Sequence, residues 1–197
     1  TAAVLRRLRR LAHHYGADPV FISASATLSG AGELLQRLSG VTEAVEITED
    51  ASAHPALDQV IWQPSEDPHH EAAEVMARLV SEGRQVLTFT TSRVQAELVA
   101  VRAQEQAPTV PVKSYRSGYL AADRRALEAG LQSGELRGVA CTNALELGVD
   151  IAGVDAVINC GFPGTVASLR QQAGRAGRAG ADALAVLIPK ADPLDAY

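Results

Sequence analysis

The sequence predicts an α/β protein built on a parallel sheet with helices on both faces. Three observations lead there. Short apolar runs alternate with amphipathic stretches along the 197 residues. The strand runs, among them Gln85–Thr90 and Ala183–Ile188, carry apolar residues on both faces rather than at every second position. Strands of that kind are buried on both sides, the condition of a parallel sheet. Helical stretches separate them, as right-handed crossovers between parallel strands require.

In chain order, Thr1–Arg10 is basic and helical in pattern, Pro19–Ser23 reads as a buried strand and Gly32–Leu38 as a helix. Asp58–Trp62 is a strand. Pro68–Ser81 is a helix, because Ala72, Val75, Met76, Leu79 and Val80 recur at helical spacing. Gln85–Thr90 is a strand, and Ser92–Ala107 a helix with Ser92 placed to cap it. Val110–Tyr115 is a strand, and Ala121–Gln132 a helix stopped near Gly134. Arg137–Thr142 and Asp155–Cys160 are strands, Thr165–Ala173 a helix, and Ala183–Ile188 the last strand. The stretch Thr48–Pro68 shifts to Glu, Asp, Ser and Pro. It divides the chain into a small strand–helix piece (1–49), a linker (50–57) and a complete α/β unit (58–197).

With 4% aromatic residues the core rests on Ala, Val, Leu and Ile. No apolar run is long enough for a membrane helix, and no secretory signal opens the chain, so a cytoplasmic protein is expected. The chain begins at Thr1 rather than Met and is expected to be a piece of a longer protein. Cys141 and Cys160 fit no metal or disulfide framework and read as reduced buried thiols. The adjacent pairs His13–His14 and His69–His70 cannot share a helix face, so no metal site is expected. Arg6, Arg7, Arg9 and Arg10 read as a solvated helix face. A net charge of −5 argues weakly against nucleic acid, although a local cluster can act inside an acidic chain.

Ligands of such sheets bind beyond the carboxyl ends of the strands. That directs attention to the loops after Thr90, Tyr115, Thr142 and Cys160. In QQAGRAGR, Gln171–Arg178, two arginines each follow a glycine; they suit bidentate contact with a triphosphate, or simply a helix end meeting its dipole. In CTNALELGVDI, Thr142 and Asn143 could donate to a phosphate, and Asp150 could accept from a ribose hydroxyl or order a water. Alternatively the segment is a polar connection with Asn143 as a cap. Ser25 and Thr27 flank an alanine after the first strand and could couple a nucleotide site to a moving interface, or serve as a helix cap. Thr88–Arg93, with Thr90, Ser92 and Arg93 entering a helix, suits an anion. Tyr115 and Arg116 in YRSGY offer a cation and a stacking ring, or a turn with half-buried tyrosines.

Taken in order, SAT, TFTTSR, YRSGY, TNALELGVD and QxxGRxGR resemble the last motifs of superfamily two helicases, over nearly the whole chain. LRGVACTNALELGVDIAGVDAVINCGFPGTVASLRQQAGRAGR looks like the MrfA/SftH-type DNA helicases of bacteria and their fungal relatives. The resemblance implies a RecA-like sheet of the P-loop NTPase kind and an ATP-dependent 3′–5′ DNA helicase. Residues 1–49 would then end the first RecA-like domain and 58–197 form the second. It implies that Gln171, Arg175 and Arg178 meet the ATP phosphates, with Arg178 as the arginine finger, and that Gly148 and Asp150 lie on the nucleotide side. Thr90, Ser92, Arg93, Tyr115, Arg116, Thr142 and Asn143 would touch DNA, and Ser25 and Thr27 would couple hydrolysis to strand separation.

The sequence has no GxxxxGK[ST] phosphate loop and no acidic pair on an apolar strand for Mg²⁺. ATP and Mg²⁺ are therefore expected to serve the full-length enzyme, with neither held tightly by this chain alone. The implied partners are single-stranded DNA, a duplex junction and the first RecA-like domain, with no membrane. The alternatives are a subunit that translocates on duplex without unwinding it and a non-motor RecA-like module that binds nucleic acid. Two cysteines cannot build the zinc module of the resembled branch.

Overall fold

The computed structural model describes residues 1–25, 28–49, 56–116, 118–145, 153–177, 181–193 and 195. The chain divides into two compact units, Thr1–Ser52 and Ala53–Tyr197.

The first unit contains α1 (Ala2–His14) and α2 (Ala31–Ser39). The basic run of α1 is more than a solvated face. Arg6 and Arg9 donate to the carbonyls of Arg37 and Gly40 at the end of α2, where four carbonyls lack helical partners. Pro19–Ser23, expected as a strand, forms no ladder among the described residues. Val20 and Ile22 are 85% and 92% exposed. A strand needs a neighbour to satisfy its backbone groups, and no second strand forms among the described residues of this unit.

The second unit is the α/β layer structure that the pattern requires. Its strands are β1 (Leu57–Ile61), β2 (Val86–Thr90), β3 (Val112–Tyr115), β4 (Gly138–Cys141), β5 (Ala156–Cys160) and β6 (Ala183–Ile188). They form one sheet in the order β1-β6-β5-β2-β4-β3, with every pairing parallel. Helices α3 (Pro68–Ser81) and α4 (Arg93–Gln106) cover one face, where Met76, Val80, Val99 and Ala103 pack on Val86, Ala140, Ile158 and Ile188. On the other face Leu131 of α5 (Ala121–Ser133) and Ala176, beyond α6 (Val166–Ala173), pack with Leu87, Phe89, Val139 and Val157. Fully burying each Val, Leu, Ile, Met or Phe side chain among these contributes about 1.5–3 kcal/mol. Met76, Leu87, Val139 and Ile158 are essentially inaccessible.

Local chemistry sets the boundaries. Asp67 caps α3 ahead of Pro68, Ser92 caps α4 by accepting from the Gln95 N–H at 3.2 Å, and Thr165 caps α6 by accepting from Ser168 N–H at 3.0 Å. Gly134 ends α5 at φ 79°, a left-handed conformation that glycine adopts without steric cost. No described helix is long and apolar enough to cross a membrane.

The loop from β1 to α3 is gathered around one carboxylate. Glu71, 8% exposed, accepts from Glu66 N–H at 2.9 Å, from the Trp62 indole at 2.6 Å and from the Ser65 hydroxyl at 2.9 Å. The Glu66 N–H above all, then the Trp62 and Ser65 donors, hold its pKa at about 2 against an ordinary 4.5. Because the folded value lies below the unfolded one, this stabilisation is complete above about pH 4.5 and fades as pH falls toward 2. Glu71→Gln should therefore lower the thermal midpoint at neutral pH, and the gap to wild type should narrow below pH 4.5. A gap independent of pH across that window would contradict the assignment.

Candidate functional site

Three strand ends meet at one cleft on the carboxyl edge of the sheet. After β2, Thr90 is 6% exposed and shares its hydroxyl between the carbonyls of Ser92 at 3.0 Å and Cys141 at 3.3 Å. That contact ties the end of β2 to the end of β4, its sheet neighbour. After β4 come Thr142, 8% exposed, and Asn143, exposed at the start of the short 3-10 turn Asn143–Leu145. After β5 the chain passes Pro163 and enters α6. These ends, with Thr91, Ser168 and Gln172, line a cleft of about 340 Å³.

One lining residue, Gln172, belongs to a buried polar pair that sequence reasoning missed. Asn159 of β5 and Gln172 of α6 are 1% and 3% exposed, and the Asn159 amide donates to Gln172 Oε1. A buried amide needs such partners, because an unmade hydrogen bond there costs more than a made one contributes. The signal was available: an asparagine stands inside the otherwise apolar run AVINC. The pair ties α6, and with it the start of the arginine-bearing segment, to the sheet.

Of the residues expected on phosphates, Gln171 on α6 and Arg175 just beyond it are half-buried. Arg175 is fixed through its backbone, whose carbonyl accepts from Val154 N–H at 2.9 Å, next to a parallel bridge between Val154 and Ala176. Burial pushes the Cys141 thiol pKa well up, and the positive charge of Arg175 acts against that push. Arg178, Gly148, Asp150 and Thr27 lie outside the described residues. Ser25 is exposed in the other unit.

The expected nucleic-acid residues divide into two groups. Thr90, Thr142 and Asn143 come together at the cleft. Ser92 spends its hydroxyl oxygen on capping α4, and Arg93 is exposed on that helix's first turn. The second group is away from the cleft lining. Arg116 donates to Glu97 at 2.6 Å and lies over the Tyr119 ring at 4.9 Å. That bond to Glu97 raises the guanidinium's pKa. Tyr115 corrects an expectation. It is 3% exposed and its hydroxyl donates to Glu128 at 2.7 Å, so its ring is core and offers no face to a base. Burial, then the Glu128 contact, raises the phenol to about 12. Cys141 and Cys160 are free and buried. No described group of three or more His, Cys, Asp or Glu is arranged to hold a metal ion.

Residues 71–180 match the helicase conserved C-terminal domain. Over its full length the chain is 36% identical to the uncharacterized ATP-dependent helicase YprA of Bacillus subtilis, of which it spans 28%. It is also 36% identical to the ATP-dependent helicase HRQ1 of Saccharomyces cerevisiae, of which it spans 20%. The crystal structure of the DUF1998 helicase MrfA bound to DNA and AMPPNP is similar with a TM-score of 0.90 at 36% identity, covering 100% of this chain and 29% of that one.

The Asn159–Gln172 pair yields a prediction. Asn159→Ala removes a partner of a buried carbonyl oxygen and should cost about 1–3 kcal/mol of stability, read from denaturant unfolding. An unchanged midpoint would show that the pair carries no weight.

Proposed function

The chain belongs to the helicase conserved C-terminal domain family, and from that premise we propose that it is the second RecA-like lobe of a 3′–5′ DNA helicase. In this reading residues 1–49 complete the first lobe, 50–57 link the two, and 58–197 are the second lobe. The protein works in the cytoplasm. ATP sits between the lobes, and DNA lies across both. The observation that carries the reading is the convergence of Thr90, Thr142 and Asn143 on one cleft at the carboxyl edge of the sheet.

Each proposed role follows from the chemistry of the group. Arg175 and Arg178 brace the phosphates with planar, permanently charged donors, and Arg178 neutralises charge developing on the transferring γ-phosphoryl. Gln171 accompanies them. Gly148 and Asp150 meet the nucleotide, the carboxylate accepting from a ribose hydroxyl or orienting a water. Thr142, Asn143, Thr90, Ser92, Arg93 and Arg116 face the phosphate backbone, a contact that is independent of sequence and sensitive to salt. Tyr115 supports this group from the core. Ser25 and Thr27 couple closure of the lobes to strand separation.

ATP draws the two arginines toward the first lobe, and loss of the γ-phosphate releases them. The phosphate loop and the Mg²⁺ ligands belong to the first lobe, so this chain alone should not hydrolyse ATP. The exposure of Val20 and Ile22 supports a first lobe whose remaining strands lie elsewhere in the protein.

Arg178→Ala and Arg175→Ala in the full-length protein should each lower DNA-stimulated ATP hydrolysis, the finger variant by about a thousandfold or more. Hydrolysis unchanged in Arg178→Ala would remove the finger assignment. Strand displacement with a 3′ overhang but not a 5′ overhang checks the polarity.

A further inference from the structure

One lysine and one aspartate stitch three loops of the carboxyl edge together. Lys190 follows β6, Gly161 follows β5 and Thr91 follows β2. The Lys190 stem crosses Gly161, and its ammonium donates to Thr91 Oγ1 at 2.8 Å. Gly161 has φ 89°, and a Cβ there would stand 2.0 Å from Lys190 Cε. Glycine adopts that backbone without steric cost and leaves room for the lysine stem to lie where it does, whereas a Cβ would push the stem aside. Thr91 in turn donates to Gln95 Oε1 of α4 at 3.0 Å. On the backbone side, Asp195 accepts from Phe162 N–H at 2.8 Å and from Lys190 N–H.

A surface lysine ordinarily loses much rotamer freedom when it binds a ligand, which weakens its contribution. Here the backbone, the stem and the tip are already placed, yet the contact with Thr91 remains on the exposed side. An ammonium has three donors, so giving one to Thr91 keeps two for other oxygens. Thr91 itself lines the cleft that Thr90, Thr142 and Asn143 share.

We propose that Lys190 is a phosphate-binding residue of the nucleic-acid track, held at the ends of β2 and β5 by Thr91, the Gly161 slot and Asp195. This rests on the reading that the carboxyl edge carries a DNA backbone. The chemistry is that of a point charge on a phosphate rather than a planar fork, so Lys190 contributes affinity without base selectivity.

The test uses the full-length protein and a labelled oligodeoxythymidylate, titrated over a range of KCl concentrations. Lys190→Gln should weaken binding about tenfold at low salt and reduce the slope of log K against log salt by about 0.7, the loss of one single-strand phosphate contact. Lys190→Arg should keep the wild-type slope. Asn143→Ala serves as a comparator, weakening binding through the cleft itself. If it does so while Lys190→Gln keeps the wild-type slope and affinity, the Lys190 proposal is overturned and the DNA reading stands. An equal slope loss in Lys190→Gln and Lys190→Arg also overturns it, since that result reports the stitch rather than the charge. If the wild type shows no salt-dependent binding, the DNA reading falls and this proposal with it.

Discussion

All six strands of the sheet run the same way, and that single constraint decides where chemistry can occur. A parallel strand must be followed by a crossover, so every strand ends on the same edge and every connection leaves from it. Polar residues that would be intolerable inside the layers become affordable there, because the backbone is turning and solvent is near. Thr90, Thr142, Gly161 and Lys190 are remote in sequence, yet each stands within two residues of the end of a strand. The apolar packing of both faces keeps those ends in register. The core therefore serves the edge by fixing which loops are neighbours, β2 lying between β4 and β5.

Much of this was legible in the sequence, and what was not has identifiable causes. The helix over Pro68–Ser81 was readable to the residue, because its cap, its proline and its apolar spacing agree. Ser92 as the cap of α4 was equally readable, since the signal is local. Strand order is not local. Nothing in QVLTFT says that it will lie between the strands carrying Cys141 and Asn159. Pro19–Ser23 has a strand's composition, but a ladder needs a second chain segment, and periodicity cannot report whether one is present. Tyr115 failed for a related reason. An aromatic residue at a strand end can face a ligand or the core, and only the position of Glu128 on α5, which takes its hydroxyl, decides. Asn159 could have been found as a polar residue in an apolar run, whereas its partner Gln172 could not, because their pairing depends on the angle at which α6 meets the sheet.

The hydroxyls at the edge illustrate how a motif serves structure and ligand together. Thr90 and Ser92 spend their oxygens on the protein, one tying β2 to β4 and the other capping α4. Removing either would disturb the edge before any ligand arrived. A loss of activity at such a residue therefore reports on positioning as much as on contact. Asn143, exposed beside them, carries no such double duty in the hydrogen bonds described for the cleft, which makes it the cleaner probe of contact.

The net charge of −5 looks unsuited to a polyanion, but total charge is the wrong quantity. At physiological ionic strength charges act over roughly 8–10 Å, so a bound strand senses its immediate neighbours and little beyond. Among the cations near these strand ends, Arg116 is largely neutralised by Glu97 at 2.6 Å and contributes little field of its own. Lys190 differs. The nearby Asp195 carboxylate is engaged by the backbone N–H groups of Phe162 and Lys190, while the ammonium bonds to a neutral hydroxyl. Arg93 is exposed on the first turn of α4. Under the DNA reading, attraction would therefore concentrate at the ends of β2, β5 and β6, and weaken toward the Arg116 turn. An acidic protein can hold a polyanion on such terms, provided that a cation near the cleft keeps its charged tip on a neutral partner, as Lys190 does on Thr91.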